Sequence, residues 1–281
     1  MIIVVTGATG NVGRPLVQEL VRAGARVRAV TRDPSRAGLP AGVELVESIG
    51  AALPGANAVF LNSRALGREL ETVAGLARDA GVRKLVALSA INADDVDSRQ
   101  PSRARGDRNR EVEQLAVASG LPWVSLRPTV FASNFAGMWG PQILRGDVVA
   151  GPYANASSSP IAEADIAAVA VRALTGADLD GSRLDLTGPQ ALTNTELVAV
   201  LGAALGRPLR YVELAPEAVR ERFAAIGFPA PFADAYIEMQ AVAVGIPAPV
   251  TVEVEKALGR PAQPFADWVR EHVGQFAGGG E

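Results

Sequence analysis

The stretch from Val4 to Val17, VVTGATGNVGRPLV, constrains the fold more than any other part of the chain. A short β-branched run from Ile2 runs into three glycines, Gly7, Gly10 and Gly13, in a G-x-x-G-x-x-G spacing. An amphipathic pattern follows, with Val12, Leu16, Val17, Leu20 and Val21 at helical intervals and Gly24 at its end. A strand, a glycine-rich turn and a helix in that order are what a phosphate-binding turn requires. Gly7 permits the tight turn, Gly10 lets a pyrophosphate approach the backbone, and Gly13 lets helix and strand pack closely. The helix N-terminus adds free N–H groups and a partial positive charge. The competing reading is a bare structural bend.

The alternation continues. Strands are expected at 26–32, 43–47, 57–63, 84–90 and 122–131. Helices are expected from about Leu66 to Ala80 and in a segment ending near Ser119 and Gly120. This pattern predicts an α/β fold with a Rossmann-type doubly wound parallel sheet. After residue 131 proline and glycine punctuate shorter elements, including helices at 163–174 and 193–206, the latter capped by Thr193 or Asn194, and strands at 183–188 and 209–214. The expected division assigns residues 1–131, with returning segments at about 155–190, to a nucleotide-binding Rossmann domain. Residues at about 132–154 and 191–277 form a small mixed C-terminal subdomain that covers substrate, and 278–281 form a disordered tail.

Composition narrows the chemistry. The chain has 281 residues, no cysteine and a net charge of −3. Disulfides, thiolate metal sites and a cysteine nucleophile are excluded, and charge alone suggests no nucleic-acid partner. No metal site is expected. No apolar run approaches the length of a membrane span, and the N-terminus lacks a basic leader region, so a cytoplasmic protein is expected. The two lysines, Lys84 and Lys256, against 25 arginines read as the bias of a GC-rich bacterial source. The one histidine, His272, lies in a terminal amphipathic segment and reads as a packing or surface residue.

The ribose end selects between cofactors. A free 2′-hydroxyl calls for Asp or Glu at the end of the second strand. There the sequence places Thr31 and Arg32, with Arg36 a turn later. A guanidinium at that point suits a 2′-phosphate and an adenine face, which favours NADP(H) over NAD(H). Asp33 stands one place late and could equally cap the next turn. A surface ion pair for Arg32 is the alternative.

Together, VTGATGNVGRPLV, AVTRDPSRA, VRKLVALSAIN, SGLPWVSLRPTVFASN and EADIAAVA resemble the NmrA-like group of atypical short-chain dehydrogenases/reductases. The likeness covers nearly the whole chain. It implies NADP(H) binding, with quinone reductases, isoflavone-reductase-like enzymes and non-catalytic redox sensors among the members. By position it assigns Gly7, Thr9, Gly10, Asn11, Val12 and Gly13 to the pyrophosphate and Arg32 to the 2′-phosphate. Asn62, Ser63 and Arg64 fall on the adenine side. Ser89, Ala90 and Ile91, with Pro128, Thr129 and Val130, fall beside the nicotinamide.

The chain departs from the group in two places. The segment after the third strand is short, leaving Ser48 and Ile49 as the local adenine candidates. More consequentially, no Tyr-x-x-x-Lys pair exists: the residues four beyond Tyr153, Tyr211 and Tyr236 are Ser157, Ala215 and Gln240. Asn109 and Glu113 take the corresponding places. Ser89 and Asn109 are therefore the catalytic candidates, each with a structural alternative. Phe135, Met138, Trp139, Phe232, Tyr236 and Met239, with Ile91 and polar Asn134, are candidates for a pocket that takes an apolar or aromatic small molecule; subdomain core is the competing role. The charged stretch 94–113 reads as a solvated loop or a lid. Three functions stay open: an NADPH-dependent reductase of an apolar carbonyl or quinone, a non-catalytic NADP(H) sensor, and an isomerase or dehydratase.

Overall fold

Every buried β-branched run at the start of the chain becomes a strand of one sheet. A computed structural model describes residues 1–276; the tail expectation at 278–281 lies outside the described residues. The strands are β1 (Ile2–Thr6), β2 (Arg26–Val30), β3 (Glu44–Val46), β4 (Ala58–Asn62), β5 (Lys84–Leu88) and β6 (Trp123–Pro128). Two short strands, β7 (Val148–Gly151) and β8 (Ser157–Ser158), lie outside the sheet, and β9 (Ser182–Leu186) completes it. The order is β3-β2-β1-β4-β5-β6-β9, all parallel. This is the doubly wound parallel sheet expected. Its winding direction reverses between β1 and β4, the place where open α/β sheets hold their ligands beyond the strand C-termini.

The sheet is apolar on both faces because helices cover both. On one face lie α1 (Gly13–Arg22), α7 (Glu163–Thr175) and α11 (Glu253–Leu258). Leu16, Val17 and Leu20 of α1 are fully buried there, each worth about 1.5–3 kcal/mol of transfer free energy. On the other face lie α2 (Ile49–Ala52), α3 (Ser63–Leu66), α4 (Val73–Asp79) and α5 (Asn109–Ala118). The single helix expected over 66–80 is broken. Gly67 adopts φ +54°, ending α3, and a 3₁₀ turn at Gly67–Glu71 intervenes before α4. A left-handed residue cannot continue an α-helix.

The subdomain has its own two clusters. In one, α6 (Ala132–Ile143), α8 (Asn194–Leu205) and α12 (Phe265–Glu271) pack around Trp139, Phe265 and Trp268. In the other, α9 (Pro216–Ala225) and α10 (Ala230–Val242) pack through Phe223, Phe232 and Tyr236. Two small sheets brace it: β8 pairs antiparallel with β10 (Leu192–Thr193), and β7 pairs parallel with β11 (Arg210–Glu213). Thr193 is the N-cap of α8 and forms a full capping box with Glu196. Buried Asp165 of α7 accepts the Gln263 N–H at 2.7 Å and pairs with Arg260 at 2.8 Å, fastening the returning C-terminal segment to the sheet layer. His272 stacks on Trp268, ring centroids 4.2 Å apart, as a packing residue.

Candidate dinucleotide and substrate site

The β1–α1 turn sits at the reversal point. Gly7 has φ +68° and lies against the side chain of Asn62 at the end of β4. The Gly10 N–H closes the turn on the Gly7 carbonyl at 3.0 Å. A Cβ on Gly13 would overlap that same carbonyl oxygen, so only glycine lets α1 start this close to β1. Among the described residues, the N–H groups of Ala8, Thr9, Asn11 and Val12 have no protein acceptor. Unpartnered N–H groups at the mouth of a helix form an anion cradle. Val12 is buried and anchors the turn, while Thr9, Gly10 and Asn11 are exposed. The Asn11 amide donates to Ser133 Oγ at 3.0 Å, joining the turn to the start of α6.

Next to the cradle, beyond β2, stands a second cationic element. Arg32 is exposed and has no carboxylate within ion-pair distance among the described residues. Arg36 instead pairs with Asp33 at 3.7 Å, and Asp33 accepts from Ser35 Oγ. Sequence reasoning passed over Arg14. Its guanidinium bridges the Thr9 carbonyl (3.0 Å) and the Gly38 carbonyl (3.1 Å), tying the glycine turn to the loop after β2. Its place directly after the third glycine was the available signal. The adenine candidates Ser48 and Ile49 are taken by structure: Ser48 caps α2 and Ile49 is fully buried.

At the ends of the central strands, Asn62, Ser63, Ser89 and Thr129 have protein partners. Thr6 Oγ1 accepts the Asn62 N–H at 2.7 Å, and Asn62 Oδ1 caps α3 at 3.0 Å. Ser63 is buried and accepts the Arg108 N–H at 2.9 Å; Arg64 is exposed. Ser89, only 3% exposed, donates to the Asn109 carbonyl at 2.9 Å. Asn109 opens α5, and its amide donates to Ser102 Oγ at 3.3 Å. Ala90 and Ile91 are half-buried, the Ile91 N–H donating to the Pro128 carbonyl at 3.0 Å. Pro128 is buried; Thr129 donates to the Ser159 carbonyl at 2.6 Å, and Val130 packs on the subdomain core.

Glu113 of α5 points towards β6 and β9. It is 4% exposed and accepts from Ser125, Arg127 (2.7 Å) and Arg183 (2.6 Å). Burial pushes its carboxyl up, but the hydrogen bonds from Arg127, Ser125 and Arg183 together outweigh this and hold it at about 2. Arg127 also reaches Asp94 at 2.8 Å. The cluster fixes α5 to β6 and β9.

The charged stretch before α5 is tied down by hydrogen bonds while Asp94, Asp97, Ser98 and Arg105 stay exposed. Gln100 is 1% exposed and donates to the Asp95 carbonyl at 2.6 Å; Arg110 reaches the Ala93 and Asp95 carbonyls. Ser98 donates to Glu238 of α10 at 3.0 Å, and Arg105 lies over the Phe228 ring at 5.2 Å. These contacts lay the stretch, as a flap, against α10.

Of the pocket candidates, Met138, Trp139 and Tyr236 line one cavity of about 60 Å³ together with Gln142, Phe223 and Arg222. Phe232 and Met239 pack in the same cluster as Tyr236. Phe135 is buried against Trp139 and Phe265, centroids 4.7 and 5.4 Å away, and Asn134 is exposed. Tyr236 is 8% exposed, its hydroxyl has no partner among the described residues, and burial pushes its pKa up. Among those residues no helix is long and apolar enough to cross a membrane, and no His, Asp and Glu cluster could hold a metal.

Fold and crevice together define a Rossmann-type protein of the dinucleotide-binding architecture. The NmrA-like family model matches residues 1–258, and the chain belongs to that family. It is 39% identical to a (4-alkanoyl-5-oxo-2,5-dihydrofuran-3-yl)methyl phosphate reductase of Streptomyces griseus, covering 98% of this chain and 99% of the relative. It is 33% identical to an NAD(P)H azoreductase of Xenophilus azovorans, covering 98% and 99%. Its fold matches the crystal structure of an Escherichia coli NADPH-dependent quinone oxidoreductase complexed with NADPH, with a TM-score of 0.81 and 22% identity over 97% of this chain and 99% of that one.

Proposed function

We propose that the protein is an NADPH-dependent reductase of a small conjugated molecule, a quinone or an unsaturated carbonyl compound. The observation that carries this reading is the pairing of the unpartnered N–H groups at Thr9, Asn11 and Val12 with an Arg32 that has no carboxylate partner. The cradle suits a pyrophosphate and the guanidinium suits a 2′-phosphate. Arg14, already bridging the two loops, adds charge and rigidity there. Ala90, Ile91 and Thr129 would flank the nicotinamide, which supplies a hydride when bound in its reduced form.

The activities of the relatives fit one chemistry. A quinone, an azo group and a butenolide are each π systems that accept a hydride. Holding such an acceptor close and aligned supplies much of the acceleration. The subdomain, with Met138, Trp139 and Tyr236 on its inner cavity, would cover the apolar part of the substrate, and the closed flap would exclude water. No feature of this arrangement speaks specifically for a sensor, an isomerase or a dehydratase.

The test is turnover. Purified protein is mixed with NADPH and, separately, menadione, an azo dye and a butenolide, and the loss of reduced-nicotinamide absorbance is followed. Oxidation with at least one acceptor is expected. Tight NADPH binding without oxidation by any of them would overturn the reductase reading and leave a binding protein.

A further inference from the structure

Asp107 lies beside the C-terminal ends of β4 and β5, and among the described residues no protein group is bonded to its carboxylate. The chain turns at Gly106, φ +89°, and the next two residues are fixed from below. The Arg108 N–H donates to Ser63 Oγ at 2.9 Å, beyond β4. The Asn109 carbonyl accepts from Ser89 Oγ at 2.9 Å, beyond β5. Residues 107–109 therefore bridge two strand ends on the side where such sheets bind ligands.

The ordinary occupations of an aspartate here are missing. Asp107 precedes α5 by two residues, yet α5 has no side-chain cap. Among the described residues its carboxylate accepts no hydrogen bond and has no ion-pair partner within 4.0 Å. Arg64 of α3 and Arg105 of the flap face it at longer range. The remaining charges nearby are engaged elsewhere: Arg108 with Glu71 at 3.6 Å, Arg103 with Glu111 at 2.8 Å, and Arg110 with the Ala93 carbonyl. Asp107 is half-buried. Burial pushes its carboxyl above the usual aspartate range, and the attraction of Arg64 and Arg105 brings it only part of the way back.

We propose that Asp107 is the proton donor of this reductase, doing from the turn before α5 what a tyrosine does from the helix in related enzymes. The inference rests on the reductase reading above. The substrate takes a hydride, with its two electrons, at an electrophilic carbon. Its oxygen then carries the charge, and the Asp107 O–H bond breaks to deliver a proton there. For a quinone the hydride adds at one carbonyl oxygen, the charge appears on the other oxygen, and one proton delivered there gives the hydroquinone. The carboxylate left behind faces Arg64 and Arg105, which stabilise it, and it recovers a proton from solvent. A half-buried acid flanked by two cations combines a proton to give with a stable conjugate base.

The test combines two readouts. In cofactor-free protein labelled with ¹³C at aspartate carboxyl carbons, with Asp107→Asn providing the assignment, Asp107 should titrate above the ordinary aspartate range. In turnover with menadione, Asp107→Asn should lower kcat about 100-fold and leave the NADPH dissociation constant unchanged. Asp107→Glu should recover most of that loss. Wild-type kcat should fall as pH rises through the Asp107 titration, since the acid form is the donor, and Asp107→Asn should lack that limb. An Asp107→Asn enzyme within twofold of wild type with the same pH profile would overturn the proposal, as would an Asp107 that titrates in the ordinary range. A wild type that oxidises no NADPH would instead sink the reductase reading itself.

Discussion

At the β1–α1 turn, position is set by backbone. Gly13 abuts the Gly7 carbonyl so closely that no side chain fits, and the groups offered to a ligand are main-chain N–H donors. At the start of α5, position is set by side chains. Ser89 and Ser63 hold residues 108 and 109, and the Glu113–Arg127–Arg183 cluster anchors the helix behind them. A backbone cradle has few ways to vary and recognises what all its ligands share, a diphosphate. A side-chain scaffold can exchange one residue for another. On the proposed function, the end that would bind the cofactor is built rigidly from glycine. The end that would handle the variable substrate is built from replaceable groups.

Breaking the side-chain scaffold should have the largest effect. Glu113→Ala leaves Arg127, with a side chain 13% exposed, without its main partner. A loss of about 3–5 kcal/mol is expected in denaturant melts; a loss under about 1 kcal/mol would mean the cluster does not anchor α5. The same carboxylate predicts an acid limb. Its folded pKa of about 2 lies below the unfolded value of 4.5, so its contribution is full above 4.5 and disappears as pH falls from there towards 2. That contribution is about 3 kcal/mol, and Glu113→Gln should flatten the melting-temperature profile across that window.

Gly13→Val attacks the other end. The clash is with backbone, which cannot swing aside, so a cost of about 3 kcal/mol and loss of nucleotide binding are expected. Full affinity in a folded Gly13→Val protein would remove the glycine turn from the account. A milder change sharpens the contrast: Arg32→Asp should weaken NADPH about tenfold or more relative to NADH with Tm unchanged, because Arg32 has no ion-pair partner among the described residues. The smallest effect belongs to Tyr236→Phe. It deletes a hydroxyl that has no partner among the described residues, so stability should move by less than about 0.5 kcal/mol. A larger loss would reveal a partner for that hydroxyl.

The cradle was legible in the sequence because it is local. Glycine spacing, strand and helix all fall between Ile2 and Arg22, and the hydrophobic alternation beyond them located every strand of the main sheet. What stayed hidden depends on distant parts of the chain. Glu113 finds Arg183 across 70 positions, and no helical period shows which way its carboxylate turns. Phe135 and Met138 share one helix, yet Phe135 packs into the core with Phe265 while Met138 reaches a cavity edge, because residues far along the chain supply their neighbours. The break at Gly67 was hidden for a different reason. One glycine in an otherwise helical run is compatible with a helix until its φ is known. Asp107 carried no motif; its interest lies in the partners it lacks.

The most direct test of the central claim is calorimetric titration of the purified protein with NADPH and NADH, repeated on Arg32→Asp. The account predicts that the wild type binds NADPH at least about tenfold more tightly than NADH and that the variant loses this preference. Equal affinity for the two in the wild type would contradict the assignment of Arg32, and binding of neither would contradict the dinucleotide cradle itself.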